Sequence, residues 1–167
     1  VVLVDEKDNA LGLMDKLEAH EKGLLHRAFS VFIFNEQGDM LIHQRAQQKY
    51  HGAGLWTNAC CSHPQQGDQL LASAEERLLA EMGLSCDLTK AFSFTYKAAV
   101  ENDLIEHEYD HVFIGYSQRT PRPNPAEVQA FKWVPIADLL VDVKATPHHY
   151  TYWFLMALPR VLQFIGK

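Results

Sequence analysis

The sequence has 167 residues, 47% hydrophobic and 22% charged, proportions of a folded domain that exclude a disordered tail protein. Fifteen Lys and Arg against 21 Asp and Glu leave a net charge of −6 with no basic cluster to offset it, so neither nucleic-acid binding nor docking on an anionic membrane is expected. Three cysteines give no disulfide framework and suit a reducing, cytoplasmic setting; nine histidines are many for a chain of this size.

At this length one domain over residues 1–167 is expected. Val1-Val2-Leu3-Val4 reads as an edge strand, followed by a loop at Asp5, Lys7, Asp8 and Asn9, and Val1 to Asp5 shows no signal-peptide features. Residues 13–25 hold a short helix leading to His20. Ala28–Phe34, the turn Asn35-Glu36-Gln37-Gly38-Asp39 and Met40–Ile42 form a hairpin. From Gly67 the period changes: Leu71, Ala74, Leu78 and Met82 recur at helical spacing, with Asp68 placed to cap the start and Gly83 to end the helix. Phe92–Val100 and Ile105–Tyr116 are strands joined by the turn residues Glu101-Asn102-Asp103. Pro121–Pro125 is a stiff loop and Val128–Val134 a further strand. Thr146 and Pro147 read as the cap and first position of a helix running through Trp153 and Met156. The apolar stretch there is broken by Pro159 and Arg160 and is too short to span a bilayer. Interleaved strands and helices with antiparallel hairpins predict an α/β fold, a mixed sheet flanked by helices.

Chemistry concentrates in few places. Trp56-Thr57-Asn58-Ala59-Cys60-Cys61-Ser62-His63-Pro64 gathers thiols and an imidazole, although a free Cys is most often a small buried hydrophobe. Glu106 and Glu108 lie two apart on a strand and share one face, which Asp110 continues, while His107 and His111 take the other. Two covered carboxylates so close need a cation or a shared proton. With His20, His26 and His63 they make a three-nitrogen, two-carboxylate set suited to Mn²⁺, Mg²⁺ or Zn²⁺, although no local spacing marks a metal motif. Arg77 and Glu81 share a helix face, where an ordinary surface pair is the plain reading and a ligand phosphate with a second metal the sharper one. Lys16, Arg45 and Lys49 could add cations for the same anion.

The stretch Asp68 to Leu84 resembles a degraded Nudix box, G-x5-E-x7-R-E-U-x-E-E-x-G-U with U apolar. Ser62 and Asp68 stand at its first two positions, Glu76-Arg77 inverts the Arg-Glu order, and Ala80 replaces the first of two glutamates before Glu81 and Gly83-Leu84. The fold is thus expected to be Nudix-like, with the carboxylates of a pyrophosphohydrolase depleted. Further segments extend the likeness from about Leu11 to Trp153: Ala19-His20, Leu25-His26-Arg27-Ala28-Phe29-Ser30, Gly54-Leu55-Trp56-Thr57-Asn58, Cys61-Ser62-His63-Pro64, Tyr96, Glu106-His107-Glu108 and Ala145-Thr146-Pro147. In these the chain resembles the type I isopentenyl-diphosphate isomerases. It departs from many relatives in having Ser62 for Gly, and five residues between the first two histidines where some have one more.

The resemblance implies an enzyme that moves a double bond between isopentenyl and dimethylallyl diphosphate, by protonation to a tertiary cation and proton loss on the other side. It implies Cys61 and Glu108 as proton carriers, Tyr96 as helper and Trp153 as the π face for the cation. His20, His26, His63, Glu106 and Glu108 would hold one divalent ion, and Glu81 a Mg²⁺ that arrives with the diphosphate. Lys16, Arg45, Lys49 and Arg77 would meet the diphosphate itself. The partners implied are small isoprenoid diphosphates, with no protein partner. An N-terminal extension, residues 1–27, would carry two of the histidines and become ordered on metal or substrate binding. Two other readings stand beside this: a Nudix-type hydrolase of an organic or nucleoside diphosphate, and a non-catalytic binding module that keeps the fold.

Overall fold

The computed structural model describes residues 1–167. The chain runs β1 (Val2–Val4), β2 (Ala10–Leu13), α1 (Lys16–Lys22), β3 (His26–Phe34), β4 (Met40–Arg45), β5 (Trp56–Thr57), β6 (Cys60–Ser62), α2 (Leu70–Met82), β7 (Leu88–Val100), β8 (Leu104–Tyr116), β9 (Val128–Val134), α3 (Ile136–Ala145) and α4 (Tyr152–Phe164). The strand β3 is the hub. One edge pairs in parallel with β8 along its full length, from His26 opposite Glu108 to Phe34 opposite Tyr116. The other edge pairs in turn with β1 at His26, β6 at Phe29–Val31 and β4 at Ile33–Phe34. The sheet extends through β8 to β7 and through β4 to β5 and β9.

Strand alternation splits the hub between two cores. Phe29, Val31 and Ile33 join Ala74, Leu78 and Met82 of α2, while Phe32 and Phe34 join Phe154, Ala157 and Val161 of α4 and Leu139 of α3. Both faces are covered, so β3 reads as a continuous apolar run rather than an alternating one. The result is the α/β sandwich the sequence predicts.

Several local expectations are corrected. Val2–Val4 is an inner strand, because Ala10–Leu13 pairs outside it. Asp68 does not cap α2; it accepts from Gln65 N and Ser73 Oγ, and Gln69 stands at the cap without a side-chain bond. Leu71 is exposed, and Leu70 packs on the core instead. Gly83 does end α2, at φ +66°, where a Cβ would lie 2.7 Å from that of Arg122. Thr146-Pro147 opens only a one-turn 3-10 helix, Pro147–His149, since Tyr150 returns to extended backbone and bridges to Trp56. The long helix starts after Thr151, and Pro159 lies within it. No helix is long and apolar enough to cross a membrane.

Candidate active site

The inward positions at one end of the α4 side are polar. The parallel register puts His26 beside Glu108, and the antiparallel β7 puts Tyr96 opposite Glu108. The helix α1, capped by Asp15 accepting from Leu17 N and Glu18 N, delivers His20 fully buried. His63 follows β6. Nε2 of His26 and of His63 lie 3.2 and 2.6 Å from Oε2 of Glu108, and Nε2 of His20 lies 3.2 Å from Oε1 of Glu106. The second nitrogens of His20 and His26 face the backbone carbonyls of Lys16 and Leu24 at 2.6 and 2.9 Å, which directs both Nε2 atoms inward. All five residues foreseen as metal ligands therefore converge, and one donor atom each from His20, His26, His63 and Glu108 lies within 4.8 Å of the others.

The charges are matched to this enclosure. Burial and the Glu108 charge push Glu106 upward, but hydrogen bonds from His20 and His51 hold its pKa below the ordinary value. Burial likewise opposes ionisation of Glu108, yet His63 and His26 hold it well below the usual carboxylate range. Tyr96 donates to Glu106 at 3.1 Å and makes a short hydrogen bond with Glu108, and burial beside both carboxylates raises its pKa. Asp110, the next position on this face, accepts from Ser30 Oγ at 2.7 Å; burial and the Glu108 charge push its pKa well above the ordinary carboxylate value.

Adjacent cysteines take opposite sides. Cys61 pairs with Ser30 and turns its Sγ to the cavity, donating to Asn58 Oδ1 at 3.1 Å and accepting from Trp153 Nε1 at 3.0 Å. Burial, aided by Asp110, pushes the Cys61 thiol up to about 12. Cys60, opposite Val31, points towards α2 and donates to Glu81 at 3.2 Å. Trp153 enters from the first turn of α4 and is buried.

The four foreseen cations line the same cavity. Lys49 pairs with Glu127, and Arg77 pairs with Glu81 at 3.2 Å. Lys16 and Arg45 have no carboxylate partner; their charges stand 5.4 Å from the Tyr50 ring and 5.2 Å from the Trp153 ring. Lys16 is lowered by burial and by Lys49 and Arg45, the mark of a site crowded with positive charge that an anion would relieve. Of the carboxylates on α2, Glu81 alone lines this cavity.

Comparison with known proteins settles the kinship. The NUDIX domain model matches residues 24–155. A Serratia proteamaculans protein named isopentenyl-diphosphate Delta-isomerase is 50% identical over 155 residues, covering 93% of this chain and 87% of that protein. A Photorhabdus laumondii protein named isopentenyl-diphosphate Delta-isomerase 2 is 50% identical over 154 residues, covering 92% and 87%. The chain belongs to the isopentenyl-diphosphate isomerase family of Nudix-domain proteins. Among solved structures, a Deinococcus radiodurans protein superposes with a TM-score of 0.71 at 20% identity over 86% of this chain and 88% of that one. The NUDIX domain of Shewanella oneidensis NrtR, solved with ADP ribose, superposes at 0.66 and 13% identity over 92% and 100%. At such identities these two attest the fold.

Two residues of this isomerase-family site escape the sequence reading. His51 is buried in the loop after β4, with Nε2 2.7 Å from Glu106 Oε1. Glu127, before β9, holds Lys49 and stands 4.0 Å from Arg77. Each lies in a connection without periodicity; His51 stands two residues after the candidate Lys49, and nothing near Glu127 in the sequence marks it.

Proposed function

We infer that this chain interconverts isopentenyl and dimethylallyl diphosphate. The observation that carries the reading is convergence: Cys61, Glu108 with Tyr96, and Trp153 meet in one cavity that Lys16, Arg45, Lys49 and Arg77 also line. An alkene is a weak base and its allylic C–H a weak acid, so the shift needs a proton donor and a proton acceptor, with water kept out. A proton is added to the terminal methylene, its π electrons forming the new C–H bond and leaving a cation at the tertiary carbon. A proton then leaves the neighbouring carbon, and the C–H pair becomes the new double bond. Cys61 serves one side and Glu108, hydrogen-bonded to Tyr96, the other; their roles exchange with direction. The indole of Trp153 offers its face to the cation, an attraction of about 2 kcal/mol when desolvated. These cations anchor the diphosphate, so an acidic protein holds an anionic substrate through local charge.

The donor set fits a divalent ion: imidazoles and carboxylates buried together, with no Lys or Arg paired to either carboxylate. His20, His26, His63, Glu106 and Glu108 would hold it, as Mn²⁺, Mg²⁺ or Zn²⁺, and its charge favours the ionised form of Glu108. Glu81 would meet the Mg²⁺ of the diphosphate. Hydrolysis is not favoured, because α2 turns a single carboxylate into the cavity.

The test is incubation with isopentenyl diphosphate and Mg²⁺ in D₂O, followed by proton NMR. Deuterated dimethylallyl diphosphate, absent with Cys61→Ala and Glu108→Gln, is expected. Unchanged substrate from metal-loaded protein would sink the assignment.

A further inference from the structure

His51 has no place in the five-residue ligand set, yet nothing about its position is loose. Its imidazole is 7% exposed, lines the cavity and stacks on His20 with ring centroids 5.4 Å apart. Nε2 faces Glu106 Oε1 at 2.7 Å, closer to that oxygen than His20 Nε2 at 3.2 Å. Donors from His20, His51 and Glu106 lie within 4.8 Å of one another, a second group that shares only His20 with the first.

The backbone around His51 is gripped on three successive residues. Asn102 Nδ2 donates to the Tyr50 carbonyl at 2.7 Å, Arg45 Nη2 to the His51 carbonyl at 3.1 Å, and Gly52 N to Glu101 Oε2 at 2.8 Å. Gly52 takes φ +63°, which turns the chain sharply away after the histidine. Glu101 and Asn102 belong to the β7–β8 turn, and Asn102 and Asp103 are themselves left-handed, at φ 61° and 57°. The turn that closes the hairpin bearing Tyr96, Glu106 and Glu108 thus also fixes the loop bearing His51.

A histidine kept only for packing satisfies both ring nitrogens. Here Nδ1 is buried without a partner, so the ring is held for what Nε2 does. Nε2 is thus the nitrogen turned to Glu106 Oε1, at 2.7 Å, while the carboxylate's other oxygen accepts from Tyr96 at 3.1 Å.

We propose that His51 is a positioning residue of the metal centre: from its clamped loop it holds Glu106 in the orientation that binds the ion. The inference rests on the metal-centre reading above. The same loop follows Arg45 and carries Lys49, so it ties the carboxylates to the cations of the cavity.

The experiment titrates metal-free protein with Mn²⁺ alone, following free ion by EPR, and counts coordinated nitrogens by pulsed EPR. His51→Ala is expected to weaken Mn²⁺ binding by about 10–100-fold. His51→Gln, whose amide nitrogen can reach where Nε2 stands, recovers most of the affinity, and Asn102→Ala, which loosens the loop alone, gives an intermediate loss. The nitrogen count stays at that of His20, His26 and His63 throughout. Wild-type affinity in His51→Ala overturns the proposal, as does equal weakness of His51→Gln and His51→Ala. A nitrogen lost with His51→Ala makes His51 a ligand in its own right and also overturns it. His63→Ala separates the two readings: if wild type and His63→Ala bind Mn²⁺ equally weakly, the metal centre itself falls. Should His51→Ala fail to fold, Asn102→Ala and His51→Gln decide.

Discussion

On the α4 side of the sheet, β3 and β8 bury two unlike sets of side chains. Towards Phe34 the inward positions are Phe32, Phe34, Val112 and Ile114, closed by Phe154, Ala157 and Val161. Towards His26 they are His26, Ser30, Glu106, Glu108 and Asp110, just as deeply buried. The first half gains about 25 cal/mol for each Å² of apolar surface taken from water. The second loses hydration of charged groups and recovers it only through mutual hydrogen bonds. One strand pair therefore supplies stability at one end and chemistry at the other, and the rigid end holds the costly one in register.

That division can be broken from either end. Glu108→Gln and Cys61→Ala should each lower turnover by about 10²–10⁴-fold, read by deuterium incorporation, with cooperative unfolding retained. A rate near that of wild type in either variant would dissolve the division. Phe32→Ala, in the apolar half, should cost about 3–5 kcal/mol in urea unfolding while each folded molecule keeps its turnover. Loss of turnover without loss of stability there would reverse the comparison.

A third test uses a histidine outside the site. His43 is buried, donates from Nδ1 to the Ala59 carbonyl at 3.1 Å, and is held neutral, with burial and then Arg45 lowering it to about 4. Unfolded chains take up that proton below about pH 6.5 and the folded chain does not, so stability falls as pH drops towards 4. The contribution is about 3 kcal/mol, fully present above pH 6.5, and His43→Gln should shallow the acid limb of the stability curve by that amount. A parallel curve in the variant would refute the assignment. The smallest effect concerns the ion: at about a hundredfold excess over its dissociation constant, Mn²⁺ should add about 2.7 kcal/mol and protect residues 1–27 from protease. Equal cleavage with and without Mn²⁺ would show that the segment orders on its own.

What the sequence disclosed follows from the same contrast. Period-two alternation placed Glu106, Glu108 and Asp110 on one face, and turn residues set the β7–β8 hairpin, because both signals are local. The α3 helix was missed: it falls between the strand ending at Val134 and the cap read at Thr146, and Leu139 alone of its residues is buried. The strands β5 and β6 are two and three residues long, too short to show a period, and exist because β3 and β4 offer them edges. His51 went unread for a related reason. Its meaning comes from hydrogen bonds to Asn102 and Glu101, some fifty positions away, and no pattern within a loop encodes them.

The parallel pairing of β3 with β8 also has a consequence in time. His26 and Glu108 are 82 positions apart, so a chain emerging from the ribosome exposes His20, His26 and His63 well before their carboxylates exist. During synthesis the three imidazoles therefore precede both carboxylates. Only when β8 docks along the hub do Glu106 and Glu108 reach these imidazoles, so the set is completed late, together with the sheet.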